Sequence, residues 1–281
     1  MLARIVRFRQ IVNDASLDPA RPLRETRTPV PTNATTKRFL VTGSTGQLGK
    51  PTLAALTAAG HDARGLTRRG GADAVAADLL TGHGVDEALV GIDTVVHLAT
   101  TNGKKDLLIA EHLAAAAVRA KVTHLVVVSI VGIDEIPLSF YKQRVRIEEI
   151  MHASGIPLTL QRATQFHSLV DSMFSSQRFL PVVVAPAIRL QPIAVEEVGA
   201  KLAELAVGPP LGRVPDIGGP TQRTMKDLHG AWRAATGGKR PAVGLRLPGK
   251  LFAAYDAGVN LVEGPTYGRS TFEAYLADKY R

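Results

Sequence analysis

The chain has 281 residues, 45% of them apolar and 21% charged, with 26 glycines and no cysteine. That composition suits a globular protein with a substantial core and excludes disulfide staples, thiolate catalysis and cysteine-ligated metal centres. The formal net charge is +9, but residues 1–38 hold eight Lys/Arg against three Asp/Glu, so more than half of the excess lies in a short N-terminal piece.

The rest of the chain has 26 basic and 22 acidic residues, an ordinary surface balance that gives no reason to expect a nucleic-acid partner. The aromatic residues, eight Phe, five Tyr and one Trp, never interleave with a basic cluster as a base-stacking platform requires. No apolar run reaches the roughly 18 residues of a membrane span. Met1 to Lys37 contains four prolines (Pro19, Pro22, Pro29, Pro31) and no alternation of strand and helix patterns. It reads as a disordered or accessory extension. Leu2, Ile5, Val6 and Val12, interleaved with Arg4, Arg7 and Arg9, could form one short basic amphipathic helix. Because Arg7 and Arg9 interrupt any apolar h-region, a cytoplasmic protein is expected.

From Arg38 onward, apolar runs alternate with helical patterns. Phe39–Val41, Ala63–Leu66, Ala74–Ala77, Thr94–Leu98, Leu125–Ser129 and Leu158–Gln161 read as buried strands. Between them, Leu53–Ala59, Asp86–Val90, Leu107–Ala120 and Gln143–Ser154 read as helices. Continuous apolar strands joined by helices predict a parallel sheet covered on both faces, and right-handed crossovers make it doubly wound. The fold expected is therefore α/β, a Rossmann-type doubly wound parallel sheet over residues 38–180. A small α/β C-terminal subdomain, 181–281, is interleaved with it and faces substrate. In that part Val182–Val184, Gln191–Ala194 and Val214–Ile217 read as strands, and Val195–Val207, Met225–Thr236 and Gly249–Val262 as helices.

The most informative segment is Phe39-Leu-Val-Thr-Gly-Ser-Thr-Gly-Gln-Leu-Gly49. Gly43 lets the chain turn sharply after the first strand. Gly46 removes a side chain where a pyrophosphate would approach, and Gly49 allows close packing of helix on sheet. Ser44, Thr45, Gln47 and Leu48 complete the turn, whose helix offers unpaired N–H groups to the phosphates. The second strand ends Gly65-Leu-Thr-Arg-Arg69, without the carboxylate that binds a ribose 2′-hydroxyl in NAD sites. Arg68 and Arg69 suit a 2′-phosphate instead, so NADP(H) is expected and NAD(H) is the less favoured cofactor.

These features resemble the atypical short-chain dehydrogenase/reductases, most closely their NmrA-like NAD(P)-binding family. Thr42-Gly-Ser-Thr-Gly-Gln-Leu-Gly49, Ala77-Asp-Leu79, His97-Leu-Ala-Thr100, Arg162-Ala-Thr-Gln-Phe166, Gln191-Pro-Ile193 and the run from Gly212 to Pro220 carry the likeness. By that resemblance Asp78 and Leu79 would sit at the adenine, and Leu98, Ala99 and Thr100 would line the ribose and diphosphate. Arg162, Ala163, Thr164, Gln165 and Phe166 would approach the nicotinamide. The wider superfamily uses Tyr-x-x-x-Lys for proton transfer, with a Ser or Thr at the place of Ser129. Here Ser139-Phe-Tyr-Lys-Gln-Arg144 puts Phe140 and Arg144 at those two positions. Tyr141 and Lys142 are the remaining candidates for catalysis alongside Ser129, although helical neighbours one residue apart do not share a face. The departure disfavours carbonyl dehydrogenation and sugar epimerisation.

What the resemblance implies is an NADP(H)-dependent oxidoreductase passing hydride to a small-molecule acceptor, a quinone being the leading choice, as a monomer or homodimer. The alternative is a non-catalytic NAD(P)-binding redox sensor of the NmrA type. No HExxH spacing suggests a metal site, no G-x-S-x-G elbow a hydrolase, and Asp134-Glu135 reads as a solvated turn.

Overall fold

The computed structural model describes residues 37–281, so the amphipathic helix expected near Leu2–Val12 lies outside the described residues. The chain runs β1 (Arg38–Thr42), α1 (Gly49–Ala58), β2 (Asp62–Thr67), β3 (Ala74–Ala76), α2 (Val85–Ala88), β4 (Thr94–His97), α3 (Lys105–Arg119), β5 (His124–Ile130), α4 (Ser139–Ala153), β6 (Leu158–Ala163) and α5 (His167–Ser175). It continues through β7 (Val183–Pro186), β8 (Arg189–Leu190), α6 (Val195–Val207), β9 (Gly212–Arg213), β10 (Arg223–Thr224), α7 (Met225–Thr236), β11 (Ala242–Leu245), α8 (Lys250–Asp256) and α9 (Phe272–Lys279).

Seven strands form one parallel sheet in the order β3-β2-β1-β4-β5-β6-β9. Successive side chains of a strand point to opposite faces, and here both faces are apolar. Leu40, Val95, Leu125 and Val127 meet α3 and α4 on one side. Phe39, Val41, Val96 and Val126 meet α1 and α6 on the other. The result is a Rossmann-like fold. The strand order reverses between β1 and β4, so a crevice opens beyond their carboxyl ends, where ligands of such sheets bind.

Past residue 181 the connections run in both directions. α6 packs against α1, with a Cβ at Gly199 placed only 3.0 Å from Thr52 N, and β9 extends the main sheet. Conversely α5 sends Val170 and Phe174 into a second core with Val183, Leu228, Trp232 and Phe272. β7 pairs with β11 and β8 with β10 in two small separate sheets. No helix among the described residues is long and apolar enough to cross a membrane.

Two expected strands are absent for a common reason. Gln191–Ala194 and Val214–Ile217 each contain a proline, which cannot donate to a ladder, and each makes only an isolated bridge, Phe166↔Ile193 and Ala163↔Ile217. The helix expected over Gly249–Val262 stops at Asp256, just before Gly258 turns to φ +77°.

Asp171 of α5 fastens the end of the chain. Its buried carboxylate accepts hydrogen bonds from Trp232 Nε1 (2.8 Å), Tyr280 Oη (2.7 Å) and Lys279 Nζ. Burial works to raise its pKa, but the bonds from Lys279, Tyr280 and Trp232 outweigh that and hold it below its ordinary 3.8. Asp171→Ala leaves the Trp232 N–H without its acceptor and should cost about 2–3 kcal/mol in urea unfolding at neutral pH. A lowered folded pKa stabilises above the unfolded value and is lost as pH falls through the folded one. The gap between wild type and variant should therefore narrow below about pH 4.

Candidate functional site

The turn from β1 into α1 is built on backbone contacts that exclude side chains. Gly43 has φ +65°, and a Cβ there would lie 2.7 Å from Leu98 O and 2.8 Å from Ala99 N. A Cβ at Gly49 would sit 2.1 Å from Gly43 O. Gly46 N donates to Gly43 O at 2.9 Å and closes the turn. Ser44 is buried against β2, where a Cβ at Gly65 would meet Ser44 Oγ at 2.4 Å. Leu48 is buried in the α1-side core, whereas Thr45, Gly46 and Gln47 are exposed above it. Helix α1 begins without a side-chain cap and with no acidic residue in its first turn. Its partial positive charge is therefore uncompensated locally.

Thr42, not singled out as a site residue by sequence reasoning, joins this turn to β4. Its Oγ1 accepts from Leu98 N (3.0 Å) and Ala99 N (3.2 Å) and lies 3.0 Å from His97 Nδ1. With two N–H groups already donated to it, the hydroxyl gives its own proton to Nδ1, which fixes a neutral imidazole. Burial, and then the nearby Arg144 charge, push the His97 pKa down to about 4, in keeping with that state. On the far side of the crevice Ser168 Oγ donates to Gln47 Oε1 at 2.8 Å, so α5 touches the glycine turn.

The remaining expected cofactor residues fall into distinct environments. Arg68 and Arg69 are exposed just past β2. Asp78 Oδ1 accepts from Leu80 N at 2.9 Å, a turn-forming role, and Leu79 is buried in the core. Leu98 and Ala99 are half-buried, and Thr100 is exposed. Arg162, expected near the nicotinamide, has its guanidinium engaged by two carboxylates. It donates to Glu148 through Nε (2.9 Å) and Nη2 (2.6 Å), and also to Asp134. Its side chain is 5% exposed, so it serves as an anchor between β6, α4 and the loop after β5. Ala163 belongs to the α1-side core, and Thr164 Oγ1 donates to Gln191 O. Phe166 is half-buried against that same core. Gln165 is buried, yet among the described residues neither of its amide atoms has a hydrogen-bond partner.

Among the described residues no hydrogen bond joins the three expected catalytic residues, Ser129, Tyr141 and Lys142. Tyr141 is buried against Ile133 and Ile136, and burial together with neighbouring Tyr255 raises its pKa. Lys142, the next residue on α4, is exposed. Ser129 Oγ is buried without a partner among the described residues. In place of a Tyr–Lys pair, Arg144 stacks over the Phe140 ring at 5.1 Å and donates to Thr100 Oγ1 at 2.6 Å. Asp106 holds that arrangement: it accepts from Thr100 Oγ1 (2.5 Å), from Thr101 N and Oγ1 (2.6 Å each) and from Arg144 (3.3 Å). Burial would raise the Asp106 pKa, but those bonds and the Arg144 charge lower it. No sequence spacing announces this cluster, whose members come from three separate elements.

The sequence model of the NmrA-like family matches residues 35–182, more than half of the chain. The chain belongs to the NmrA-like family. Among solved structures it is similar to an NADPH-dependent quinone oxidoreductase of Escherichia coli complexed with NADPH, with a TM-score of 0.73 at 16% identity over 86% of this chain and 100% of that one. A nucleoside-diphosphate-sugar epimerase of Staphylococcus aureus gives 0.71 at 16% identity, over 85% and 99%. The NADP(H) complex of a Citrobacter triphenylmethane reductase gives 0.67 at 15%, over 87% and 100%. At such identities the likeness is one of fold. An uncharacterized protein of Mycobacterium tuberculosis is 36% identical over 75 residues, a stretch spanning 25% of this chain and 9% of that protein.

The Thr42 latch can be tested directly. Thr42→Val keeps the shape but leaves the Leu98 and Ala99 N–H groups without an acceptor, which should cost about 1–3 kcal/mol. Thr42→Ser should restore most of the loss in the same urea titration.

Proposed function

We propose that this protein is an NADP(H)-dependent oxidoreductase that passes hydride from NADPH to a small electron-poor acceptor, of which quinones are the best match. The observation that carries the reading is the glycine turn: a cradle that any Cβ at Gly43 or Gly49 would fill, lying under an uncapped helix N-terminus. Backbone N–H groups and a helix dipole so placed favour a diphosphate. Arg68 and Arg69, exposed where an NAD site carries a carboxylate, favour the 2′-phosphate of NADP(H). The unpartnered amide of Gln165 has the donor and acceptor that a nicotinamide carboxamide needs.

When bound, NADPH supplies the hydride; the residues of this chain bind, orient and exclude water. Thr42 and Gly43 hold the β4 loop against the turn, and Leu98, Ala99 and Thr100 would line the ribose and diphosphate. Arg144 occupies the place of the lysine in the Tyr-x-x-x-Lys pattern, where its guanidinium, held by Asp106, would face the ribose. Phe140 cannot transfer a proton, and a buried Tyr141 with a raised pKa is a weaker acid than free tyrosine. The chemistry therefore suits an acceptor whose reduced oxygen takes its proton from solvent, with rate enhancement coming from positioning. The same missing acid favours the second reading, a redox sensor of the NmrA type that binds NADP(H) without turnover.

NADPH oxidation measured against a panel of quinones and carbonyl compounds separates the two: turnover with quinones supports the enzyme, and cofactor binding without any turnover supports the sensor. Calorimetric titration of Arg68→Ala should show a loss of about 1.5–3 kcal/mol for NADPH and almost none for NADH. Equal losses for both would contradict the NADP(H) assignment.

A further inference from the structure

The small β7–β11 sheet has an unusual outer face. The strands run parallel with Val184 opposite Val243 and Pro186 opposite Leu245. The alternate positions Val183 and Ala185 are buried in the C-terminal core with Val170 and Trp232. Strand alternation then turns Val184, Pro186, Val243 and Leu245 outward, where a one-sided sheet ordinarily carries polar residues. Val243 is 50% exposed and Leu245 39%, followed by Leu247 at 52%. The turn before β7 presents Phe179 at 83% exposure. Arg240 fastens that turn to the start of β11 by donating to the carbonyls of Gln177 and Leu180.

Charge accompanies the apolar surface. Segments 176–189 and 237–250 together contain six Lys/Arg and no Asp or Glu. Arg246 pairs with Asp256 of α8 at 2.6 Å, and among the described residues the other five have no carboxylate partner of this kind. Arg178 lies over the Phe179 ring at 4.7 Å, and Lys239 and Lys250 are exposed. Exposed bulky apolar side chains accompanied by cations fit a surface that is apolar inside and negatively charged outside. We propose that this face docks the protein peripherally on an anionic lipid bilayer, with Phe179, Val243, Leu245 and Leu247 entering the headgroup–acyl boundary. A second copy of the chain is a poorer occupant, because a symmetric contact would bring like charges together. A nucleic acid would match the cations but leave the aliphatic side chains without a role. The proposal does not depend on the cofactor reading.

The test is co-sedimentation of the full chain with large unilamellar vesicles of phosphatidylcholine alone or with one quarter phosphatidylglycerol. Binding to the anionic vesicles only, and its suppression in 0.5 M NaCl, are expected. Lys239→Ala/Lys250→Ala should weaken it by roughly fivefold per lysine, and Phe179→Ser by about tenfold or more, with thermal midpoints unchanged because all three side chains are exposed. Several results would overturn the proposal: no association with anionic vesicles, association that both variants retain in full, tighter binding to a short DNA duplex, or a dimer in sedimentation equilibrium that Phe179→Ser dissociates.

Discussion

Two backbone segments approach so closely beyond the first strand that neither tolerates a side chain. The Gly43 carbonyl occupies the space of a Cβ at residue 49, and Leu98 and Ala99 occupy the space of a Cβ at residue 43. That contact fixes where α1 begins, how the β4 loop lies and therefore the shape of the crevice at the sheet's switch point. Thr42 makes the contact specific, since one hydroxyl satisfies two N–H groups of the neighbouring loop and sets the imidazole beside it. Ser44 and Gly65 extend the same logic to β2, whose end carries the two exposed arginines.

Around this rigid turn, charged groups serve chiefly as fasteners. Arg162 ties β6 to α4 and to the loop after β5, Asp106 ties α3 to Arg144, and Asp171 ties α5 to the chain's end. Each is a buried or nearly buried group met by several hydrogen bonds, the condition under which ionised side chains are tolerated away from water. The outcome is a site with many preorganised dipoles and no evident proton donor, which narrows its chemistry more than any one residue does. A lipid-facing sheet would also place the protein where apolar acceptors partition.

Much of the sheet was legible because its strands are buried on both faces. Phe39–Val41, Val95–Val96 and Leu125–Val128 are apolar runs for that reason, and α7 matches its pattern residue for residue over Met225–Thr236. The glycines were legible because the turn allows nothing else. Helices α5 and α9 escaped notice: they are short, and their burial depends on one another's neighbours in the C-terminal core. Gln191–Ala194 and Val214–Ile217 have strand-like composition, but Pro192 and Pro215 limit each to one bridge. The side-chain partners were not legible at all. Thr42 meets Leu98 across 56 residues, Arg144 meets Asp106 across 38 and Arg162 meets Asp134 across 28, and a single sequence carries no mark of such pairings. Arg162, expected near the nicotinamide, also pairs its guanidinium with Glu148 and Asp134.

In this reading the turn from Gly43 to Gly49 grips a dinucleotide diphosphate through its backbone amides. Hydrogen–deuterium exchange of the full chain, with and without saturating NADPH, tests it most directly. Slowed exchange in peptides spanning residues 43–50 and 97–101, with the interior strands of the sheet unchanged, is expected. Unaltered exchange in both segments at saturating NADPH would contradict it.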